Sequence, residues 1–148
     1  MRLKEKISII TGAASGFGKG IVKKFSEEGA KIIMADINKD LLEKVSKDLN
    51  QDFFHTDVAS SSSMKKLSEY VLKKYGTIDI MVNNAGITHL PKPLEEVGEE
   101  EFDKIFAVNS KSVFLCGKFF VPHMKKKKKG SILNISSTAG ISPRPNLN

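Results

Sequence analysis

The sequence predicts an α/β fold in which helices cover both faces of a doubly wound parallel sheet. Short apolar segments rich in β-branched residues alternate with segments whose apolar residues recur at helical spacing. A glycine-rich turn at residues 11–18 joins the first strand to the first helix. With 148 residues and 40% hydrophobic content, the chain is long enough for one domain with a core of its own.

Five strands are expected, at residues 7–10, 31–35, 52–56, 78–82 and 131–135. The helix after the glycine turn has one apolar face and ends at Gly29. Apolar positions at 41–49 and at 64–72 predict the next two helices, and a serine from the run at 60–63 is expected to cap the second of these.

The segment between the fourth and fifth strands begins as a loop, because two prolines exclude regular helix from residues 87–98. We interpret His89, within this loop, as an exposed histidine rather than a group facing a ligand. A long helix is expected from Glu99 onward, with a candidate kink at Pro122. Its apolar residues lie on more than one face, which suits burial against the sheet and against a partner subunit.

The glycine turn has the spacing Gly-x-x-x-Gly-x-Gly, formed by Gly12, Gly16 and Gly18. Side chains at these positions would obstruct a tight turn or a diphosphate lying against the main chain. The N-terminus of the following helix offers free N–H groups and a partial positive charge to such an anion. The alternative is a turn without a ligand, since glycine-rich turns are common.

The second predicted strand ends at Asp36, which lies 24 residues after Gly12. A carboxylate at this position can accept hydrogen bonds from the hydroxyl groups of an adenosine ribose, and it would repel a 2′-phosphate. The position therefore favours NAD over NADP. The alternative is a local turn or helix-cap role for Asp36.

The net charge of +7 does not by itself indicate a nucleic-acid partner. Five of these charges come from the run of lysines from Lys125 to Lys129, so the rest of the chain carries only two. A lysine run before Gly130 is typical of the solvated C-terminal end of a helix, and no aromatic residues interleave with it. We therefore favour a helix end over nucleic-acid binding.

The N-terminal segment, the length of the apolar runs, and the cysteine and histidine residues bear on cellular location and metal binding. The first strand begins too early to leave room for a signal peptide, and no apolar run reaches membrane-spanning length, so we expect a cytoplasmic protein without a membrane contact. Cys116 is interpreted as a packed thiol. His55, His89 and His123 lack the spacing of metal ligands, so no metal site is expected.

Four segments together resemble the short-chain dehydrogenase/reductase family. They are Thr-Gly-Ala-Ala-Ser-Gly-Phe-Gly at 11–18, Asp-Val at 57–58, Asn-Asn-Ala-Gly at 83–86 and Asn-Ile-Ser-Ser at 134–137. Their order and spacing match over the whole chain, and sheet packing alone does not require them. The chain is most similar to bacterial members that act as 3-oxoacyl-carrier-protein reductases or sugar dehydrogenases.

This resemblance implies a Rossmann-type fold with strands 1 to 5 of the family's seven, and hydride transfer between NAD(P) and an alcohol or ketone. It also implies contacts between the cofactor and residues at matching positions. These are Gly12, Ser15, Gly16, Phe17 and Gly18 for the diphosphate, Asp36 for the adenosine ribose, Asp57 and Val58 for the adenine, and Asn83, Ala85 and Gly86 for the nicotinamide side.

Two residues match catalytic positions of the family. Asn109, in the long helix, would help to hold a proton-relay water, and Ser137 would hydrogen-bond the substrate oxygen. The family's catalytic Tyr and Lys are expected roughly a dozen residues past the serine, beyond Asn148. Tyr70 and Lys74 have the same Tyr-x-x-x-Lys spacing, but we interpret them as partly exposed residues of the helix before the fourth strand.

Three hypotheses of function follow. The first is an NAD(P)-dependent oxidoreductase, inactive as the 148-residue chain because the proton donor is absent. The second is a cofactor-binding fragment or pseudoenzyme without turnover, and the third is nucleic-acid binding through the lysine run. With the family's later strands absent, the fifth strand is expected to be a sheet edge, so we also expect self-association as a homo-oligomer.

Overall fold

The sheet of the protein consists of five parallel strands. The computed structural model describes residues 1–142, and every structural statement below concerns these residues. The strands are β1 Ile7–Thr11, β2 Lys31–Asp36, β3 Asp52–His55, β4 Ile80–Asn83 and β5 Ser131–Asn134. Their order across the sheet is β3-β2-β1-β4-β5, so the predicted α/β, Rossmann-type doubly wound sheet is confirmed.

Helices cover the sheet on both faces. They are α1 Gly16–Glu27, α2 Lys39–Leu49, α3 Ser61–Tyr75, α4 Glu99–Phe106 and α5 Ser112–Lys127. Helices α1 and α2 contribute to one apolar cluster, whereas α3 and α5 contribute to the other. No helix within residues 1–142 is both long enough and apolar enough to cross a membrane.

Strands β1 and β2 are buried on both faces, which explains why their sequences are mostly apolar. Ile9 of β1 pairs with Ile33 of β2, and both belong to the cluster with α3 and α5. The next pair along, Ile10 and Met34, belongs to the cluster with α1 and α2. Adjacent side chains of a strand point to opposite faces, and full burial of each such side chain contributes about 1.5–3 kcal/mol.

The expected long helix is interrupted by a π-helical turn, Ala107–Lys111, which separates α4 from α5. Apolar residues lie on both sides of this turn, so the sequence was interpreted as one continuous helix. Pro122 lies inside α5, which continues to Lys127. As expected, Ser60 caps α3, because its hydroxyl accepts a hydrogen bond from the N–H of Ser63. Cys116 is a buried thiol, and burial raises its pKa.

Strand β5 is an edge strand of the described sheet, and all four of its residues are exposed. Ile132 is 38% exposed and Leu133 is 48% exposed, although apolar strand residues are usually covered. Phe106 and Phe114, which flank the π turn, are also exposed. An open edge beside apolar surface favours association. Self-association remains a prediction.

A carboxylate at the amino edge of the sheet joins β3 to α3. Asp52, the first residue of β3, accepts hydrogen bonds from the hydroxyls of Tyr70 (2.7 Å) and Tyr75 (2.9 Å). The Nζ of Lys74 lies 2.8 Å from the same carboxylate. Tyr70 and Lys74 thus have a structural partner at the edge opposite the strand ends where ligands bind in such sheets.

The hydrogen bonds around Asp52 affect the pKa values of the groups that form them. Burial opposes ionisation of Asp52, but the hydrogen bonds from Lys74, Tyr70 and Tyr75 outweigh it, so the pKa of Asp52 lies below its usual value. Burial and the hydrogen bond to Asp52 raise the pKa of Tyr75 to about 12. The carboxylate therefore stabilises the fold in its ionised form.

We predict that Asp52→Asn lowers the free energy of unfolding at pH 7 by about 2 kcal/mol, because it weakens three charge-assisted hydrogen bonds. The matched control is Asp48→Asn on α2, where the exposed carboxylate has no partner among the described residues. Urea denaturation measures both effects.

The difference in free energy of unfolding between the unsubstituted chain and Asp52→Asn should persist from pH 7 to about pH 5. It should decrease below about pH 4, since a carboxylate with a lowered pKa stabilises the fold only while it is ionised. A loss in free energy of unfolding that equals the loss caused by Asp48→Asn, or that is independent of pH down to pH 3, would contradict this account.

Candidate functional site

A cleft of about 500 Å³ opens at the carboxyl edge of the sheet. Its walls are formed by the turn after β1, by the segments that follow β2, β3 and β4, and by α4. Nine residues predicted from the sequence line it together: Gly12, Ser15, Gly16, Phe17, Asp36, Asp57, Val58, Ala85 and Gly86.

Four other predicted residues do not line the cleft. Gly18 is buried in α1, and Asn83 is buried at the end of β4. Asn109 lies in the π turn, and the exposed Ser137 lies between β5 and the 3₁₀ turn Thr138–Gly140. Each of these four residues nevertheless lies at or beyond the carboxyl edge of the sheet. Gly18, Asn83 and Asn109 hold neighbouring segments in place, as described below.

Two glycines of the turn have different physical roles. Gly12 has a φ of 62°, and a Cβ there would lie 2.9 Å from the Cα of Ala85, so only glycine fits this floor of the cleft. A Cβ at Gly18 would lie 1.9 Å from the carbonyl oxygen of Gly12. Gly18 therefore permits α1 to pack against the turn.

The N-terminus of α1 opens into the cleft. Its N-cap residue, Ser15, is extended and makes no side-chain capping bond, and no acidic residue lies in the first turn. The first N–H groups of the helix and its partial positive charge are therefore available to an anion. Such an N-terminus can bind an anion, and the diphosphate that the glycine motif indicates stays a prediction.

Asp36 is held at the end of β2 by two main-chain donors. Its carboxylate oxygens accept one hydrogen bond each, from the N–H of Ala14 and from the N–H of Asn38, both at 3.0 Å. Each oxygen retains a lone pair that can accept from a ribose hydroxyl. The cap of α2 is Asn38 rather than Asp36, which leaves the carboxylate directed to the cleft wall.

A hydrogen-bond network joins the end of β1 to the end of β4. The hydroxyl of Thr11 accepts from the N–H groups of Asn84 (3.0 Å) and Ala85 (3.1 Å) and donates to the carbonyl of Val82. The side-chain amide of Asn84 in turn donates to the carbonyls of Thr11 and Gly12. These bonds fix the positions of the glycine turn and of Asn84–Gly86 relative to one another.

The asparagine that ends β4 and the asparagine that follows it have separate roles. Asn84 lines the cleft, whereas Asn83 was the asparagine expected on the nicotinamide side. The amide of the buried Asn83 instead donates to Asn134 of β5 at 2.8 Å, which ties these two strands together beneath the cleft. The period of two along a strand places neighbours on opposite sides, so only one of the pair can face the cleft.

The segment after β3 is fixed by the start of α3. The carboxylate of Asp57 accepts from the N–H of Ala59 at 2.9 Å, and the N–H of Asp57 donates to the hydroxyl of Ser63. Val58 is buried in the cluster with α3 while also lining the cleft. A polar acceptor beside an apolar surface suits the amino group and the ring of an adenine.

Asn109 holds the loop that follows β4. Its side-chain oxygen accepts from the N–H of Ile87 at 2.9 Å, and its amide donates to the carbonyl of Ile87 at 2.8 Å. The π turn directs this side chain toward the loop, and such turns are frequent at functional sites. Ile87 lines the cleft, so Asn109 acts on the cleft through the main chain of Ile87.

His89 is buried, contrary to the expectation of an exposed loop histidine. Only 6% of its surface is accessible, and its Nδ1 lies 2.7 Å from the carbonyl oxygen of Leu90. The prolines of the loop predicted an irregular segment correctly, but periodicity is absent there and gives no information on which side chains turn inward.

Six further residues line the cleft and were not predicted from the sequence. Four of them lie in or beside a motif, whereas Lys104 and Val108, one helical turn apart on α4 and its continuation, lie outside every motif. The six are Ile37, Thr56, Asn84, Ile87, Lys104 and Val108. No group of three or more His, Cys, Asp or Glu side chains within residues 1–142 could hold a metal ion.

Comparison with known proteins identifies the family. The profile of the short chain dehydrogenase family matches residues 6–148 of this chain. The chain belongs to this family. Among curated short chain dehydrogenases and related proteins, the 3-oxoacyl-[acyl-carrier-protein] reductase FabG of Thermotoga maritima is 41% identical over 150 aligned positions, which cover 98% of this chain and 61% of that protein.

Two solved structures share the fold. The 3-ketoacyl-(acyl-carrier-protein) reductase of Brucella melitensis, in complex with NADH, has a TM-score of 0.93 and 39% identity, with 97% of this chain and 62% of that chain covered. A short chain dehydrogenase/reductase of Burkholderia phymatum, in complex with NAD, has a TM-score of 0.94 and 27% identity, with 99% and 54% covered. This chain thus spans little more than half the length of these relatives.

We predict that Gly18→Ala lowers the free energy of unfolding by about 3 kcal/mol, since the added methyl group collides with the Gly12 carbonyl. The matched control is Gly20→Ala in the same helix, where nothing lies within 4 Å, and it should stabilise the chain by about 0.5–1 kcal/mol. Denaturant titration distinguishes them, and equal effects of the two substitutions would refute the packing role of Gly18.

We predict that Asn109→Ala accelerates hydrogen exchange at the Ile87 amide by about tenfold, because the loop loses both hydrogen bonds that hold it. Ser110→Ala changes the adjacent exposed residue and should leave this exchange rate unaltered. Exchange followed by NMR or mass spectrometry measures it. Unchanged exchange at Ile87 in Asn109→Ala would show that the loop is held by other contacts.

Proposed function

We propose that this chain forms the cofactor-binding part of an NAD(P)-dependent oxidoreductase that interconverts an alcohol and a ketone by hydride transfer. The observation that carries the proposal is the cleft, where a glycine turn, an open helix N-terminus and the Asp36 carboxylate converge. Membership of the short chain dehydrogenase family, and relatives solved with NADH and NAD, support it.

Each part of the cleft fits one part of a dinucleotide. The main chain at Gly12 and Gly16 would hold the diphosphate, and Asp36 would accept from the ribose hydroxyls. Asp57 and Val58 would contact the adenine, and Ala85–Gly86 would contact the nicotinamide side. A bound nicotinamide supplies or accepts the hydride.

Asp36 supports a preference for NAD over NADP. Both of its oxygens accept main-chain hydrogen bonds, which hold the carboxylate at the wall of the cleft. A fixed negative charge at the ribose end of the cleft would repel a 2′-phosphate. No arginine lines the cleft in the described part of the chain, which strengthens the argument.

We also propose that the 148-residue chain turns over little substrate. Reduction of a ketone requires a proton for the developing alkoxide, and tyrosine is the donor that the family resemblance implies. The chain contains two tyrosines, Tyr70 and Tyr75, and both hydrogen-bond Asp52 at the opposite edge of the sheet. Ser137 could polarise the substrate oxygen but could not supply this proton.

A cofactor-binding protein without turnover is the second candidate, and the same placement of both tyrosines favours it. Nucleic-acid binding through Lys125 to Lys129 receives no such support. Three of these lysines form the last turn of α5, where cations stabilise the helix dipole. We also propose that the substrate is a small alcohol or ketone and that the partner of the chain is a second copy of itself.

We predict that the chain binds NADH more tightly than NADPH, and that Asp36→Ala reduces this preference by about tenfold by removing the repulsion of the 2′-phosphate. Titration of NADH and NADPH fluorescence gives both dissociation constants. Asp40→Ala, which removes an exposed carboxylate in the first turn of α2, is the matched control. A preference that Asp36→Ala leaves intact would contradict the assignment of Asp36.

We predict that the purified chain oxidises NADH at background rates with a panel of ketones, although it binds NADH. Absorbance at 340 nm measures turnover, and fluorescence titration of the same sample confirms that the cleft is intact. Rates typical of a dehydrogenase would contradict the requirement for a tyrosine at the cleft.

A further inference from the structure

Lys104 is a cation in the wall of the cleft, and no sequence motif accounts for it. It lies on α4 and lines the cleft together with Val108, one helical turn further along. Residues four apart lie on the same face of a helix, so this face of α4 is directed to the cleft. α4 supplies a different wall from the glycine turn.

The position of α4 is fixed by contacts near Lys104. Val108 packs against the core cluster shared with α3 and α5. Asn109, next along the chain, forms both of its side-chain hydrogen bonds with Ile87, which itself lines the cleft. The base of the Lys104 side chain is therefore held at the cleft, while its exposed amine can move on a four-carbon stem.

The charge of Lys104 is not neutralised by an ion pair within residues 1–142. Glu101, three residues earlier on α4, is instead paired with Lys92. Among the described residues that line the cleft, the other charged side chains are the carboxylates of Asp36 and Asp57. The part of the glycine turn that lines the cleft contributes N–H groups and a helix dipole but no basic side chain.

We propose that Lys104 binds the diphosphate of the dinucleotide from the α4 side, opposite the main-chain donors of the glycine turn, and is a further determinant of cofactor affinity. This inference rests on the proposed function. A diphosphate brings two negative charges into a cleft that already holds two carboxylates, and the lysine offsets part of that repulsion. The contact is charge-based, so an arginine can replace the lysine.

The test is the dissociation constant of NADH, measured by fluorescence titration of the chain at 50 mM and at 500 mM NaCl. Lys104→Met should raise the constant about fivefold at low salt, and high salt should reduce the difference, because salt screens an exposed charge. Lys104→Arg should bind as the unsubstituted chain does. Lys73→Met, which removes an exposed lysine of α3, should have no effect.

Equal binding of NADH by Lys104→Met and by the unsubstituted chain at low salt would overturn the inference and leave the proposed function intact. A weakening that persists undiminished at 500 mM NaCl, or that Lys104→Arg shares, would also overturn it, since packing rather than charge would then be responsible. Failure of the unsubstituted chain to bind NADH would overturn the proposed function, and the role of Lys104 with it.

Discussion

The hydrogen-bond network between Thr11 and Asn84 is the constraint on which the candidate site depends. Parallel strands leave their last carbonyl and N–H groups unpaired at the carboxyl edge, and buried groups of this kind are costly unless they are bonded. Thr11 and Asn84 satisfy these groups at the ends of β1 and β4 with side-chain donors and acceptors. The same bonds place the main chain of Gly12 against Ala85, so satisfying the strand ends also forms the floor of the cleft.

The two edges of the sheet carry different kinds of polar interaction. At the carboxyl edge, Asp36 and Asp57 are bonded to main-chain N–H groups and retain free acceptor capacity for a ligand. At the amino edge, Asp52 accepts hydrogen bonds from two tyrosines and a lysine and has a lowered pKa. A Tyr-x-x-x-Lys pair therefore stabilises the fold here, and its location excludes it from chemistry in the cleft.

Much of this organisation could be predicted from the sequence, because it depends on local patterns. Strand periodicity predicted the five strands, the family resemblance implied the Rossmann-type sheet, and position along the chain placed Asp36 and Asp57 at the strand ends. The π turn Ala107–Lys111 was not predicted, since it differs from an α-helix in its main-chain hydrogen bonds and apolar residues lie on both sides of it. Three other features depend on how segments distant in sequence pack together. Asn84 rather than Asn83 lines the cleft, His89 is buried, and Lys104 lines the cleft.

The most direct test of the central claim, that NADH binds at the carboxyl edge, is an amide NMR titration of the ¹⁵N-labelled chain with NADH. The account predicts chemical-shift changes at residues 12–18, 36–37, 57–58 and 84–87, and none at 70–75 around Asp52. Changes confined to the amino edge or to the lysine run at 125–129, or no changes at all, would contradict it.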